Sequence, residues 1–178
     1  MPMLIKLRDG HAVGVPDSFV FVADGEDAPA EGDLVVALAR FQSEGDGLMS
    51  QGRRVGVRLQ PSEAVEDLVY DLPRLAVIEL VFPKFRDGRS YTSARLLRER
   101  YGYGGEVRAV GEVLREQAQF MLRCGFDAFE PADGSSPADW LRATRRYRHV
   151  YQRAADERAP IYAERDGAPA TLEADHGL

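Results

Sequence analysis

From Arg53 to Asp156 short apolar runs alternate with helical stretches four times over, and a chain built this way has few ways to fold. "RVGVRL" alternates, with Val55, Val57 and Leu59 on one face, and "LAVIELVF" is nearly continuous apolar, the pattern of a strand covered on both faces. "EVRAV" and "FDAFE" follow as further strands. Between them, "PSEAVEDLVYDLP" reads as a short helix with Ser62 at its cap and Pro73 beyond its end. A second helix, from about Thr92 to Tyr101, buries Ala94, Leu97 and Tyr101 and stops at "GYGG". A third carries Val113, Gln117, Phe120, Met121 and Cys124 at helical spacing and ends at Gly125. The last starts with Ser136 at the cap, Pro137 at the first position and Asp139 in the first turn. Strand–helix repeats imply parallel βα units with right-handed crossovers. The expected fold is α/β, a mainly parallel sheet of consecutive βα units, open or partly barrel-like, with an N-terminal antiparallel β extension.

That extension begins with "MLIKLRDGHAV", a hairpin whose turn is Asp9–Gly10, and continues with a short strand in "SFVFVADGED". "DLVVALARF" is too short for periodicity to separate strand from helix. "QSEGDGLMSQG" is polar and Gly-rich, hence a loop and the best internal boundary. The expected organisation is 1–52 as β extension and loop, 53–155 as the βα core, and 156–178 as a mobile polar tail. At 178 residues with 44% hydrophobic content the chain has enough apolar material for a core. No apolar run approaches the roughly 20 residues needed to cross a bilayer, and the N-terminus lacks a signal-peptide pattern, so a cytoplasmic protein with no membrane partner is expected.

Chemistry is densest where the "LAVIELVF" strand hands over to a helix, in "FPKFRDGRSYTSARLLRERYG". Lys84, Arg86 and Arg89 gather there with Ser90, Tyr91 and Thr92. Ligands of parallel α/β folds collect beyond the carboxyl ends of strands. Helix N-termini favour anions, and arginine forks suit oxyanions. Arg86, Arg89, Ser90 and Thr92 are therefore the candidate anion-binding residues. The competing reading is structural: Asp87–Gly88 makes a turn, Ser90 or Thr92 caps the helix, and Arg89 pairs with a nearby acid. Glu79, a carboxylate in the most apolar strand, must be paired to stay charged there. Arg58 and Arg108 lie mid-strand on its neighbours and can meet it across one face. That face would be an active-site floor, with Glu79 and Arg108 as catalytic candidates, or a structural ion cluster, the third alternative being that Glu79 sits at a solvated edge.

In the last helix Trp140, Thr144, Tyr147 and Tyr151 form one stripe, and Arg142, Arg146, His149 and Arg153 form the opposite one. The basic stripe is either a docking face, for an acidic partner or for phosphates, or a solvated surface. The net charge of −6 argues against nucleic acid as a partner. A single cysteine, Cys124, excludes a disulfide within the chain, and its place on an apolar helix stripe marks it as a packing residue. His11, His149 and His176 stand in no metal-ligand spacing, so no metal site is expected. No dinucleotide fingerprint, Walker loop or nucleophile elbow is present, and no cofactor is evident.

Phe82 to Phe129, "FPKFRDGRSYTSARLLRERYGYGGEVRAVGEVLREQAQFMLRCGFDAF", together with the earlier "GVRLQP", resembles a bacterial family catalogued as domain of unknown function 934. The features that carry the resemblance are "FP.F.DGR.Y", "ARLLRERYGY.GE.RA.G" and "RCGFDAF". Where the family pattern has aspartates near "GDVLRDQ", this chain has Glu112 and Glu116. Members are described as oxidoreductases or accessory proteins of sulfite reduction, from their usual place beside genes of assimilatory sulfite reduction. The resemblance thus implies a pathway, with sulfite reductase or another sulfur-assimilation enzyme as partner and a small sulfur oxyanion as ligand. It implies no catalytic residues. Two expectations follow: a non-redox accessory protein that binds a sulfur oxyanion or docks on a pathway enzyme, or a small enzyme working at the strand carboxyl ends. Multi-electron reduction of sulfite belongs to a metal or flavin cofactor, for which this sequence has no evident motif.

Overall fold

The computed structural model describes residues 3–8, 10–156 and 158–165; Asp9 of the expected hairpin turn, His176 and most of the expected tail lie outside them. Strands β1 (Met3–Arg8) and β2 (His11–Pro16) form the expected antiparallel hairpin. Then come β3 (Phe19–Val22), β4 (Asp33–Ala37) and helix α1 (Leu38–Met49). The βα repeats follow as β5 (Val55–Leu59), β6 (Val77–Phe82), α2 (Arg89–Arg95), β7 (Glu106–Gly111), α3 (Ala118–Cys124), β8 (Ala128–Phe129) and α4 (Pro137–Thr144). Helix α2 runs on into a π-helical turn at Leu96–Arg100, and a short α5 (Ile161–Arg165) ends the described chain.

All eight strands form one sheet in the order β2-β1-β8-β7-β6-β5-β4-β3. From β3 to β8 every neighbouring pair is parallel and consecutive. Right-handed crossovers taken in unbroken order place every helix on the same face, so no topological switch point arises. The outer face accordingly holds the core: Val36, Val57, Ile78 and Val107 in register on adjacent strands, packed with Phe41, Leu97, Met121 and Trp140.

With helices on one side only, the sheet curls toward its bare face into a half-barrel. Two observations fix how far. Edge strands β2 and β3 stand at opposite ends of the order, yet only Asp17 and Ser18 join them, a link that spans at most about 11 Å. Arg108 of β7 also lies 5.6 Å from the Phe19 ring of β3, four strands away, a separation of about 19 Å in a flat sheet. Between the open and barrel-like alternatives, the curled one is realised.

Several local expectations change. The Gly-rich stretch at 42–52 is not a loop boundary: residues 42–49 belong to α1, and β4 pairs directly with β5 across it. Leu38, Phe41, Gly45 and Leu48 form the buried face of α1, and a Cβ at Gly45 would stand 2.8 Å from the Phe41 ring, so the glycine admits the ring. The segment read as a helix capped by Ser62 is instead two 3₁₀ turns, Val65–Leu68 and Leu72–Arg74, with Pro73 inside the second. Phe120, placed on the apolar stripe of α3, is exposed. Helix α4 starts as expected, with Ser136 and Asp139 in a reciprocal capping box and Pro137 in the first turn. Of the expected tail, residues 158–165 include Pro160, which bridges to Val150, and then α5.

Candidate functional site

Strand alternation sets the residues of the bare inner face. Arg58 of β5, Glu79 of β6 and Arg108 of β7 stand side by side in register, next to Ala128 of β8 and Lys6 of β1. Glu106 and Glu130 share that face by the same alternation, as do Phe19 and Phe21 of β3. Curling brings Asp17 over them from the β2–β3 link.

Arg108 is 1% exposed and every nitrogen of its guanidinium is used. Its Nη1 donates to Glu79 Oε1 and Asp17 Oδ2, each at 2.8 Å; Nε and Nη2 donate to Glu106 Oε1 at 3.0 and 2.8 Å. Lys6 Nζ donates to the other Glu106 oxygen at 2.6 Å. Burial raises the Glu106 carboxyl, but Lys6 and Arg108 outweigh it and hold the group below the usual carboxylate range. Arg58 Nε donates to Glu79 Oε2 at 2.7 Å, so both oxygens of Glu79 are taken. The expected trio of Arg58, Glu79 and Arg108 is assembled, and it is closed at its centre: Glu79 is 2% exposed and fully paired.

The mouth of the trough, at the strand carboxyl ends, is different. Arg58 is next to last in β5, and its Cζ lies 3.6 Å from the centroid of the Phe21 ring. Stacking fixes the guanidinium plane. Its two Nη groups have no hydrogen-bond partner among the described residues. Glu130, directly after β8, is partly buried, and its carboxyl likewise has no side-chain hydrogen bond among them. Burial pushes this carboxyl up, and the charges of Glu79 and Asp17 push the same way against Arg58 and Arg108. Neither Glu130 nor the Asp17–Lys6–Glu106 set was singled out from sequence. For Glu130 the signal was present, an acid two positions after the inner-face Ala128.

The loop from Lys84 to Ser90 sits at the same end of β6 but is occupied from within. Asp87 accepts from Arg89 Nε and Nη2 at 3.0 and 2.7 Å. Glu112 Oε2 accepts from Phe85 N at 3.0 Å, placing a carboxylate where an incoming anion would compete. Ser90 is turned inward and donates to Val81 O at 2.7 Å, so its hydroxyl is not available to a ligand. Neither Ser90 nor Thr92 caps α2; Gly88 holds the cap position with no side-chain bond. Arg86 and Thr92 are exposed.

The basic stripe is not one helix face, because α4 ends at Thr144. Arg142 lies on α4, whereas Arg146, His149 and Arg153 lie in the irregular segment beyond it, where His149 Nδ1 is 2.8 Å from Glu164 Oε2. Cys124 packs partly buried against the core, and burial raises its thiol. Among the described residues no group of three or more His, Cys, Asp or Glu is placed to hold a metal ion, and no helix is long and apolar enough to cross a membrane.

A family model described as "Bacterial protein of unknown function (DUF934)" matches residues 56–162, which include Arg58, Glu79, Arg108 and Glu130. No curated protein matches the chain.

Proposed function

The chain belongs to the bacterial DUF934 family, and from that premise we propose that it serves sulfite reduction by holding a small sulfur oxyanion at the mouth of its half-barrel, with Arg58 as the binding cation and Glu130 facing it. One observation carries the site: once every internal pairing is counted, the two Nη groups of Arg58 and the Glu130 carboxyl are the trough groups left without a partner among the described residues. Two parallel N–H donors on a ring-braced plane suit two oxygens of a sulfite or sulfate. A protonated Glu130 removes a repelling charge and adds an O–H donor. The pathway half of the reading rests on the family's described association with sulfite reduction. Should catalysis take place, Glu130 replaces Glu79 as the proton-transferring group, since Glu79 is sealed between two guanidiniums.

At ten times its dissociation constant the anion is expected to stabilise the fold by about 1.4 kcal/mol, roughly 3–6 °C in Tm. A melting series with sulfate against chloride at matched ionic strength reads this directly. Arg58→Gln should abolish the shift and Arg89→Ala should preserve it; the reverse pattern returns the site to the 84–90 loop. Because Glu130 titrates above the ordinary carboxylate range, the shift should be largest at low pH and shrink as pH rises through that titration. Sulfate is the right probe, since its own charge does not change over this range. The pathway itself is read by growth of a deletion strain. Growth on sulfide or cysteine but not on sulfite is expected, and normal growth on sulfite removes the pathway assignment.

A further inference from the structure

Beyond Thr144 the chain leaves α4 and runs back across α3, tied down by Gln119 Nε2 to Tyr147 O at 3.2 Å and by Arg123 Nε to Asp156 Oδ2 at 3.1 Å. This strap leaves two hollows, one lined by Arg146 and the other by Tyr147, with Arg146 Cζ 5.8 Å from the centroid of the Tyr147 ring. The larger, of about 570 Å³, has Arg115, Arg142, Arg145 and Arg146 in its walls with Glu116 and Asp139. The smaller, of about 280 Å³, is walled by Gln119, Phe120, Tyr147 and Tyr151 among others.

Both hollows are unsaturated. In the first, Arg146 has no acidic partner among the described residues, and the Arg115–Glu116 and Arg142–Asp139 pairs are long, at 3.4 and 3.6 Å, with both arginines exposed. Such pairs are weak and yield to a better acceptor. In the second, Phe120 and Tyr147 stand with ring centroids 6.5 Å apart, 55% and 50% exposed, and Tyr151 is 78% exposed. Large rings left open beside arginines have the composition of an interface centre. Gln119 adds an independent sign: its side-chain oxygen is buried with no hydrogen-bond partner in a residue 5% exposed that lines the aromatic hollow. That acceptor calls for an N–H donor.

We infer that this double hollow docks an acidic, extended segment of another protein, its carboxylates on the arginines, one aromatic or large apolar side chain among Phe120, Tyr147 and Tyr151, and a main-chain N–H on Gln119. Charge favours this occupant. The first hollow sets Arg115, Arg142, Arg145 and Arg146 against Glu116 and Asp139, a local positive excess that attracts a few separate carboxylates. A nucleic acid, with one charge per about 1.7 Å of duplex axis, meets both the overall charge and the interleaved Glu116 and Asp139. The inference does not depend on the oxyanion reading, since these residues lie outside the trough.

A fluorescently labelled short peptide of alternating Glu and Asp around one central Phe is the probe, titrated into the full chain at low and at moderate salt. Saturable binding that weakens with salt is expected. It should fall roughly tenfold or more in the R142E/R146E variant, and by a similar factor when the peptide's Phe becomes Ala or when Tyr151→Ala is made in the protein. All three protein positions are exposed, and an unchanged melting midpoint and far-UV circular dichroism spectrum of R142E/R146E without added anion certify the fold. No binding, equal binding to R142E/R146E, or tighter binding of a single-stranded oligonucleotide overturns the inference. Self-association that disappears in R142E/R146E also overturns it, assigning the surface to a second copy of the chain.

Discussion

Arg108→Met is expected to lower the free energy of unfolding near neutral pH by about 3–5 kcal/mol, the cost of breaking a buried ion network from one side. Methionine keeps much of the stem volume and removes all the donors. Glu79, Glu106 and Asp17 then face one another with only Arg58, Lys6 and the Phe19 backbone N–H as support. The size of the loss follows from how many carboxylates one guanidinium serves at 1% exposure. Denaturant titration at two pH values checks the mechanism as well as the magnitude. In the native protein Glu106 has a lowered carboxyl, so it contributes stability above the unfolded carboxylate range and loses it as pH falls through the lowered folded value. Without Arg108 that contribution shrinks, and carboxylates left unpaired take up protons instead. The deficit of the variant should therefore narrow on acidification. A deficit constant with pH would trace the loss to packing, and an unchanged midpoint would mean that water already screens the network. Adding Glu79→Gln to Arg108→Met should recover part of the loss, because the two groups are in direct contact.

How this network was legible from sequence, and how far, divides along local and non-local lines. Arg58, Glu79 and Arg108 could be brought together because period-two alternation and consecutive parallel strands are both read from neighbouring residues. Asp17 and Lys6 could not, since they reach Arg108 and Glu106 only after the sheet curls, and curl is a property of the whole strand order. The 84–90 loop shows the same divide: its cations and hydroxyls are local, while Glu112, which occupies the Phe85 N–H, comes from 27 positions further on. Helix α1 was hidden by its two glycines and polar surface, although Leu38, Phe41 and Leu48 keep helical spacing. The basic stripe failed in the opposite way. Its spacing continues past Thr144, but spacing does not hold a helix together once the packing of Trp140 on the core ends.

Curvature itself has an address in the sequence, at Gly56. On the inner face of β5, Gly56 stands between Val35 of β4 and Val77 of β6. An added Cβ would lie 2.3 Å from Val77 Cγ1, 2.7 Å from Val77 O and 3.2 Å from Val35 Cγ2. The side chain of Val77 can turn away, but its backbone oxygen cannot. A sheet bent this tightly crowds side chains on its concave side, and a strand glycine relieves the crowding where neighbouring backbone comes closest. Gly56→Ala is thus expected to cost about 1–3 kcal/mol as overpacking, lowering Tm by roughly 2–12 °C. Gly56→Val should cost more, and thermal melting of the two variants checks the order. The two ways of accommodating the added group are distinguishable at the mouth. If the sheet unfolds earlier but keeps its curl, Arg58 stays on Phe21 and the sulfate shift survives in the weakened protein. If the sheet opens to make room, Phe21 of β3 swings away from Arg58, two strands distant, and the shift disappears while the outer core around Trp140 stays packed. A Gly56→Ala protein with native Tm and native sulfate response would place the origin of the curl elsewhere, in the short β2–β3 link that ties the two sheet edges together.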